Sequence, residues 1–450
     1  MLKKLISFYA PAAPFIPEKE NSQINKLYKK YRWSVVLTST FGYAMYYICR
    51  LSFSVMKKPI LDEGLFTETQ IGIIGSTLFF TYAVGKFTNG FLTDRVNIRR
   101  FMATGIFISA IINFILGFYH LFYAFIILWG LNGWFQSMGA TPCAVVITRW
   151  FSSKERGTYY GFWSTSHNLG ETMTFIFTSL IISFAGWRVG FGAAAVIGII
   201  ASILIWKFLY ESPEVMGLPP IVVYKNDSAD TIKEKGSVTS LQLGLLKNPY
   251  IWILALSSSL IYIARYSINS WGIFFLQTNK NYSAIEASSI ISVGSVCGIV
   301  GTFLSGLISD KFFNGRRNVP ALIFGIMNAL SLFVFLLNPA GLLWIDIVSM
   351  VFFGLSIGVQ VCYLGGLMPI DIAPKKATGA VLGIIGITSY IGAGIQDIVS
   401  GYLIEHSKVL VNGISAYQFM PTSIFWIGAS TLSFILPLTL WNVKSNKNNS

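Results

Sequence analysis

The sequence predicts an all-α membrane protein of twelve transmembrane helices, arranged as two pseudo-symmetric halves of six. Three observations carry that expectation. The chain of 450 residues is 54% hydrophobic and 12% charged, about half the ~25% charged content of soluble domains. Apolar runs near the ~20 residues needed to cross a bilayer recur twelve times. Polar features recur at a nearly constant offset. Arg50 and Arg265 lie 215 residues apart within apolar runs, and Asp94 and Asp310, 216 residues apart, close the matching stretches GKFTNGFLTD and GTFLSGLISD.

Taken in order, residues 1–32 form a segment with Lys3, Lys4, Lys19, Lys26, Lys29 and Lys30 but no sustained apolar core, so no cleavable signal is expected there. Spans are predicted at 33–57, 70–93, 101–119, 122–148, 158–184 and 188–210, which make a half over 33–210. A turn-rich, charged stretch, 211–248, reads as a cytoplasmic linker. The second half, 249–440, carries spans at 249–276, 284–309, 320–338, 341–368, 378–404 and 417–440, followed by a tail at 441–450. Gly and Pro within these runs are tolerated in membrane helices. The echo extends to Lys154-Glu155-Arg156-Gly157 with Gly161 and Gly170, matched by Lys375-Lys376-Ala377-Thr378-Gly379 with Gly383 and Gly392; each of the three glycines is displaced by 222.

Charge placement predicts orientation. With the N-terminus inside, 25 of the 33 Lys and Arg fall in the termini and cytoplasmic loops. Five fall outside (Lys57, Lys58, Arg188, Lys280 and Lys408) and three within spans (Arg50, Lys86 and Arg265). That asymmetry places both termini in the cytoplasm. It also accounts for the net charge of +14 by topology and headgroup attraction, with no call for nucleic acid. The four cysteines show no metal-ligand spacing and read as packing residues. No metal, cofactor or nucleophile–base constellation is evident, so an enzyme is not expected.

A cation within lipid costs roughly 2.5–3.5 kcal/mol on insertion scales and normally faces a polar cavity or a partner. Two of them related by duplication point to a site that grips an anion between the halves. Guanidinium groups keep their charge and present a planar fork that matches a phosphoryl group. The competing reading is that each arginine pairs with a carboxylate or caps a helix.

The sequence also resembles a known family. The Asp94-Arg95 and Asp310-Lys311 loops resemble the major facilitator superfamily's motif between the second and third helices of each half. Arg156-Gly157-x5-Trp163-Ser164-x2-His167-Asn168-Leu169-Gly170-Glu171 resembles the signature of its organophosphate:phosphate antiporters. Gly42-Tyr43-x3-Tyr47-x2-Arg50, Gly133-Trp134-Phe135-Gln136-x-Met138-Gly139, Pro142-Cys143 and Pro374-Lys375-Lys376-Ala377 add to it. The resemblance implies the major facilitator fold around a central cavity and an alternating-access exchange of a small phosphorylated metabolite for inorganic phosphate. Within the family the weak signals favour a sugar phosphate such as hexose phosphate. It implies no cofactor, a monomer, and a multi-pass location in a bacterial cytoplasmic membrane. By the same resemblance Arg50 and Arg265 bind the phosphate, His167 donates to it, and Lys86 with Tyr82 belongs to the pore. For Lys86 the alternative is snorkelling to the interface. Tyr43, Tyr47, Tyr262 and Tyr390 fall on helix faces that suit the cavity wall, although tyrosines also collect at membrane interfaces.

The chain departs from the family pattern in places. Ser164 replaces the signature's asparagine, Glu171 its final glycine, and Ala140 and Thr141 a tryptophan and a proline. Glu171 has three readings: a partner for His167, a partner for an arginine, or a proton acceptor. Asp397 reads either as a salt-bridge partner or as a polar anchor toward the outer end of its helix. Two other functions stay open: a sugar-phosphate sensor without flux, and a proton-coupled organic-anion symporter using Glu171 or Asp397.

Overall fold

The computed structural model describes residues 7–11, 21–93, 95–225, 238–313, 316–374, 377–411 and 414–441. Asp94, most of the 211–248 linker's centre, and the Lys375-Lys376 pair lie outside them. The described chain is almost wholly helical, and its helices supply twelve crossings. The first three are Asn21–Asp62, Glu68–Thr93 and Ile98–Leu116. The fourth is broken into Phe122–Gln136 and Ala140–Trp150. A continuous stretch, Ser153–Phe208, supplies the fifth and sixth, folded at Gly186, whose φ of +78° is open to glycine at little cost. That turn falls between the two runs expected at 158–184 and 188–210.

The seventh crossing joins Pro249–Ser267 to Ile273–Asn279 through a π-helical turn, Ile268–Gly272. The eighth and ninth are Ala284–Phe312 and Asn318–Leu337. The tenth joins Leu343–Cys362 to Met368–Ile372 through a second π turn, Tyr363–Leu367. The eleventh and twelfth are Thr378–His406 and Met420–Ile435. Among the described residues nine helices meet length and apolarity requirements for a span. One of these, over 155–208, carries two crossings. The first crossing falls short because it carries Arg50, Lys57 and Lys58, and the fourth because it is interrupted at Ser137–Gly139.

The interruptions are related by the duplication. The fourth crossing of one half breaks next to Gly139, and the fourth of the other unwinds at Tyr363–Leu367. Single π turns are frequent at functional positions, and broken helices free backbone groups where a cavity satisfies them. Gly139 admits the Tyr43 ring, since a side chain there would meet it at 2.8 Å. The sequence did not announce a short antiparallel hairpin, Lys408–Val411 with Ile414–Tyr417, between the eleventh and twelfth crossings.

The two halves meet along three lines: second against eleventh, fifth against eighth, and first against seventh. They are drawn together at the end opposite the termini. Gly72 and Gly75 of the second crossing lie so close to Asp397 that a side chain at either position would overlap it, and Gly401 abuts the Glu68 backbone. Small residues are what permit such approach. Toward the terminus-bearing end the contact lapses. Among the described residues, a side chain at Gly157, Gly379 or Gly383 would meet nothing within 4 Å, and one at Gly161 only Phe303, at 3.9 Å. Among the described residues, the halves are closed at the far end and parted at the terminal end.

Candidate functional site

Arg50 projects from the first crossing into the space between the halves. It is 3% exposed. The chain holds it in place through its neighbour: the Cys49 carbonyl accepts from Asn113 Nδ2 at 3.0 Å and Asn132 Nδ2 at 2.9 Å, tying the first helix to the third and fourth. The guanidinium Nη2 donates to the Tyr266 hydroxyl at 3.0 Å. Its carbon lies 4.5 Å from the ring centre of Tyr82, 5.4 Å from Tyr390 and 5.5 Å from Tyr47. Aromatic faces attract a cation but do not neutralise it. Nε has no hydrogen-bond partner among the described residues, and no described carboxylate is within ion-pair reach.

That last property sets Arg50 apart. Lys57 pairs with Asp397 at 2.8 Å, Lys280 with Asp346 at 2.5 Å, and Arg317 with Asp371 at 3.4 Å. Arg265, its duplicate, pairs with Glu171 at 2.5 Å, and Glu171 accepts from Ser295 as well, at 3.2 Å. Of the three readings for Glu171, the structure therefore shows the arginine partner. For Arg265 the competing reading, a carboxylate partner, is the one present in the structure, and for Arg50, among the described residues, it is not. Both guanidinium carbons nevertheless lie 5.8 Å from the Tyr266 ring centre, so they share one cavity.

Lys86 is half-buried, with its ammonium 5.5 Å from the Tyr390 ring centre and beside Gly386. It faces the opposite half rather than the interface. The rings of Tyr82 and Tyr390 lie 4.5 Å apart, tilted by 47°, and Tyr262 lies 5.6 Å from Tyr390. His167 sits among Tyr43, Trp163 and Tyr47, with ring centres at 5.1, 5.3 and 5.9 Å. Its Nδ1 is 2.9 Å from the Ser164 carbonyl. A carbonyl only accepts, so Nδ1 carries the proton and the neutral ring presents Nε2 as an acceptor. The expected donation from His167 to a phosphate thus requires the imidazolium; the neutral ring instead suits a hydroxyl or a protonated phosphate.

At the far end the cavity is roofed by charge. Asp397 Oδ1 accepts from Lys57 at 2.8 Å, Ser270 at 2.7 Å and Trp271 Nε1 at 2.5 Å, and the Lys57 ammonium lies 3.7 Å from the Trp271 ring centre. Farther out Glu68 accepts from Lys408 and Tyr417, and Glu405 accepts from the Thr69 backbone. Lys57 and Lys280, expected in outer loops, are fully or nearly fully buried ion-pair members. Lys57 stands seven residues after Arg50, on the same helix face. That spacing was the available signal, and the nearby Lys58 and Asp62 masked it.

Of the loop residues, the two with described side chains do not join the cavity. Arg95 and Lys311 are exposed; Asp94 and the Asp310 side chain lie outside the described residues. Asn269, four residues after Arg265 on the same helix face, was legible from its spacing, whereas Tyr266, Ser270, Ser295, Asn113 and Asn132 were missed as site or supporting residues. Of these missed residues, Tyr266 is adjacent to Arg265 in the chain, but neighbours in a helix do not share a face, so adjacency gave no spacing signal.

Residues 39–396 match the Major Facilitator Superfamily. The chain is 32% identical over 401 residues to the membrane sensor protein UhpC of Salmonella typhimurium, covering 87% of this chain and 90% of that one. It is 32% identical to a probable hexose phosphate transport protein of Chlamydia muridarum, covering 82% and 84%. The glycerol-3-phosphate transporter of Bacillus subtilis is 33% identical, covering 89% and 92%. Among solved structures, an inward-facing bacterial homologue of the human lysosomal transporter Spinster overlays with a TM-score of 0.68 at 17% identity, over 92% of this chain and 95% of that one.

Proposed function

We propose that this chain, which belongs to the Major Facilitator Superfamily, exchanges a phosphorylated organic metabolite, most simply a sugar phosphate, for inorganic phosphate by alternating access. The observation that carries this reading is Arg50: a buried guanidinium with tyrosines around it and no carboxylate. Such a group is stable only with an anion or with water, and a phosphoryl group matches its fork. The similarity to transporters named for hexose phosphate and glycerol-3-phosphate supports the choice of substrate.

In this reading the terminus-bearing end faces the cytoplasm of a bacterial cell and a monomer suffices. The parted end admits substrate from inside, while Lys57–Asp397 and the second–eleventh helix contact seal the outside. Substrate bound between Arg50 and Lys86 on one half and Tyr262, Tyr266 and Tyr390 on the other gives each half a reason to close on it. A ligand drives the switch only through tighter binding to one state. Without an anion, closing the terminal end would seal Arg50 in a dry site uncompensated. That cost slows the empty carrier and favours exchange over net leak.

The test is uptake of labelled glucose-6-phosphate into proteoliposomes. Uptake into phosphate-loaded vesicles and none into empty ones is expected. Binding without flux would replace this reading with the sensor, in line with the UhpC relative. Uptake into empty vesicles under a proton gradient would replace it with the symporter, for which the Glu171–Arg265 contact supplies a titratable group.

A further inference from the structure

We infer that Glu171 sets the substrate class: it makes the Arg265 end of the cavity a receptor for the hydroxyls of a phosphorylated polyol and excludes esters whose far end carries a second acid. The inference rests on the transport reading and concerns the same cavity, whose two ends differ in charge. Arg50, with Lys86 near it across Tyr390, is the cationic end. At the other end Arg265 already has its counter-charge.

Glu171 Oε1 accepts from Arg265 and Oε2 from Ser295. Asn168 and Asn269 line the same notch, whose volume of about 10 Å³ suits one water or one hydroxyl. Asn269 Nδ2 is buried without a partner among the described residues. A carboxylate has about four acceptor positions and a guanidinium five donors, so the pair still offers an acceptor and donors side by side. A hydroxyl is both donor and acceptor and satisfies such a pair. A carboxylate or a second phosphate only accepts. It would gain Arg265 but meet the Glu171 charge, and like charges in a water-poor site repel strongly. The phosphate therefore goes to Arg50 and Lys86, and the neutral hydroxylated part to Arg265 and Glu171. The glycine of the antiporter signature, which Glu171 replaces, imposes no such restriction.

The test compares two three-carbon esters that differ at the far carbon, glycerol-3-phosphate with a hydroxymethyl group and 3-phosphoglycerate with a carboxylate. Calorimetric binding to the detergent-solubilised full-length protein is the readout, so it does not depend on flux. Wild type is expected to prefer glycerol-3-phosphate by about tenfold or more. Glu171→Gln and Glu171→Gly should bring the two esters to near equality, chiefly by admitting phosphoglycerate. A wild-type preference for phosphoglycerate, or a ratio unmoved in both variants, overturns the inference while leaving exchange intact. The expected ratio with no flux in vesicles sinks the transport reading instead. Failure to bind either ester overturns the inference and leaves the exchange reading to its own glucose-6-phosphate test.

Discussion

Arg50 and Arg265 are equivalent in the sequence, each a lone arginine in an apolar run at a fixed offset. Physically they are not equivalent, because Glu171 stands on the fifth helix within reach of one and not of the other. Duplication made the pair of cations legible; which one was already neutralised depended on the packing of the fifth, seventh and eighth helices. Lys86 shows the same limit. Its position two turns from the Asp94 loop allowed either a pore or an interface role, and only the approach of the eleventh helix separates them. If Lys86 supplies a second charge to the phosphate, Lys86→Gln should raise the KM for phosphate exchange by about tenfold, roughly 1.4 kcal/mol. A snorkelling lysine predicts an unchanged KM, and initial-rate measurements in proteoliposomes tell the two apart.

At the scale of elements, the spans were readable because twenty-residue apolar runs have few other uses. What stayed hidden was where they break. Pro142 and Pro369, just past the Ser137–Gly139 interruption and the Tyr363–Leu367 π turn, were partial cues to two of the breaks, whereas no proline stands close to the Ile268–Gly272 turn. The far-end seal was hidden for another reason: Lys57 and Asp397 are 340 residues apart and pair only once two helices from different halves meet. Removing one member of a buried pair strands the other, at a cost of about 3–5 kcal/mol, whereas removing both is often neutral. Lys57→Met should therefore loosen the far-end seal, and Lys57→Met with Asp397→Leu should largely restore it. Labelling of a cysteine placed at Ser270 by a membrane-impermeant thiol reagent reports this from outside. Equal labelling in wild type and Lys57→Met would remove the pair from the gate.

The whole molecule is a pair of six-helix halves closed at one end, with Arg50, which has no carboxylate partner among the described residues, at the centre near Lys86. Twelve crossings, the duplication and the family were all present in the sequence. The conformation was not, since closure at the far end depends on which helices from different halves meet. On the proposed reading, exchange follows from the electrostatics of the centre: the halves would move readily only when Arg50 holds an anion. The measurement that tests this most directly is phosphate–phosphate exchange by Arg50→Lys in loaded proteoliposomes, beside wild type reconstituted at the same level. Lysine keeps the charge and loses the fork. The account predicts a loss of roughly a hundredfold or more, about 3 kcal/mol of transition-state binding, with the protein still folded by thermal unfolding. Exchange within about threefold of wild type would contradict it.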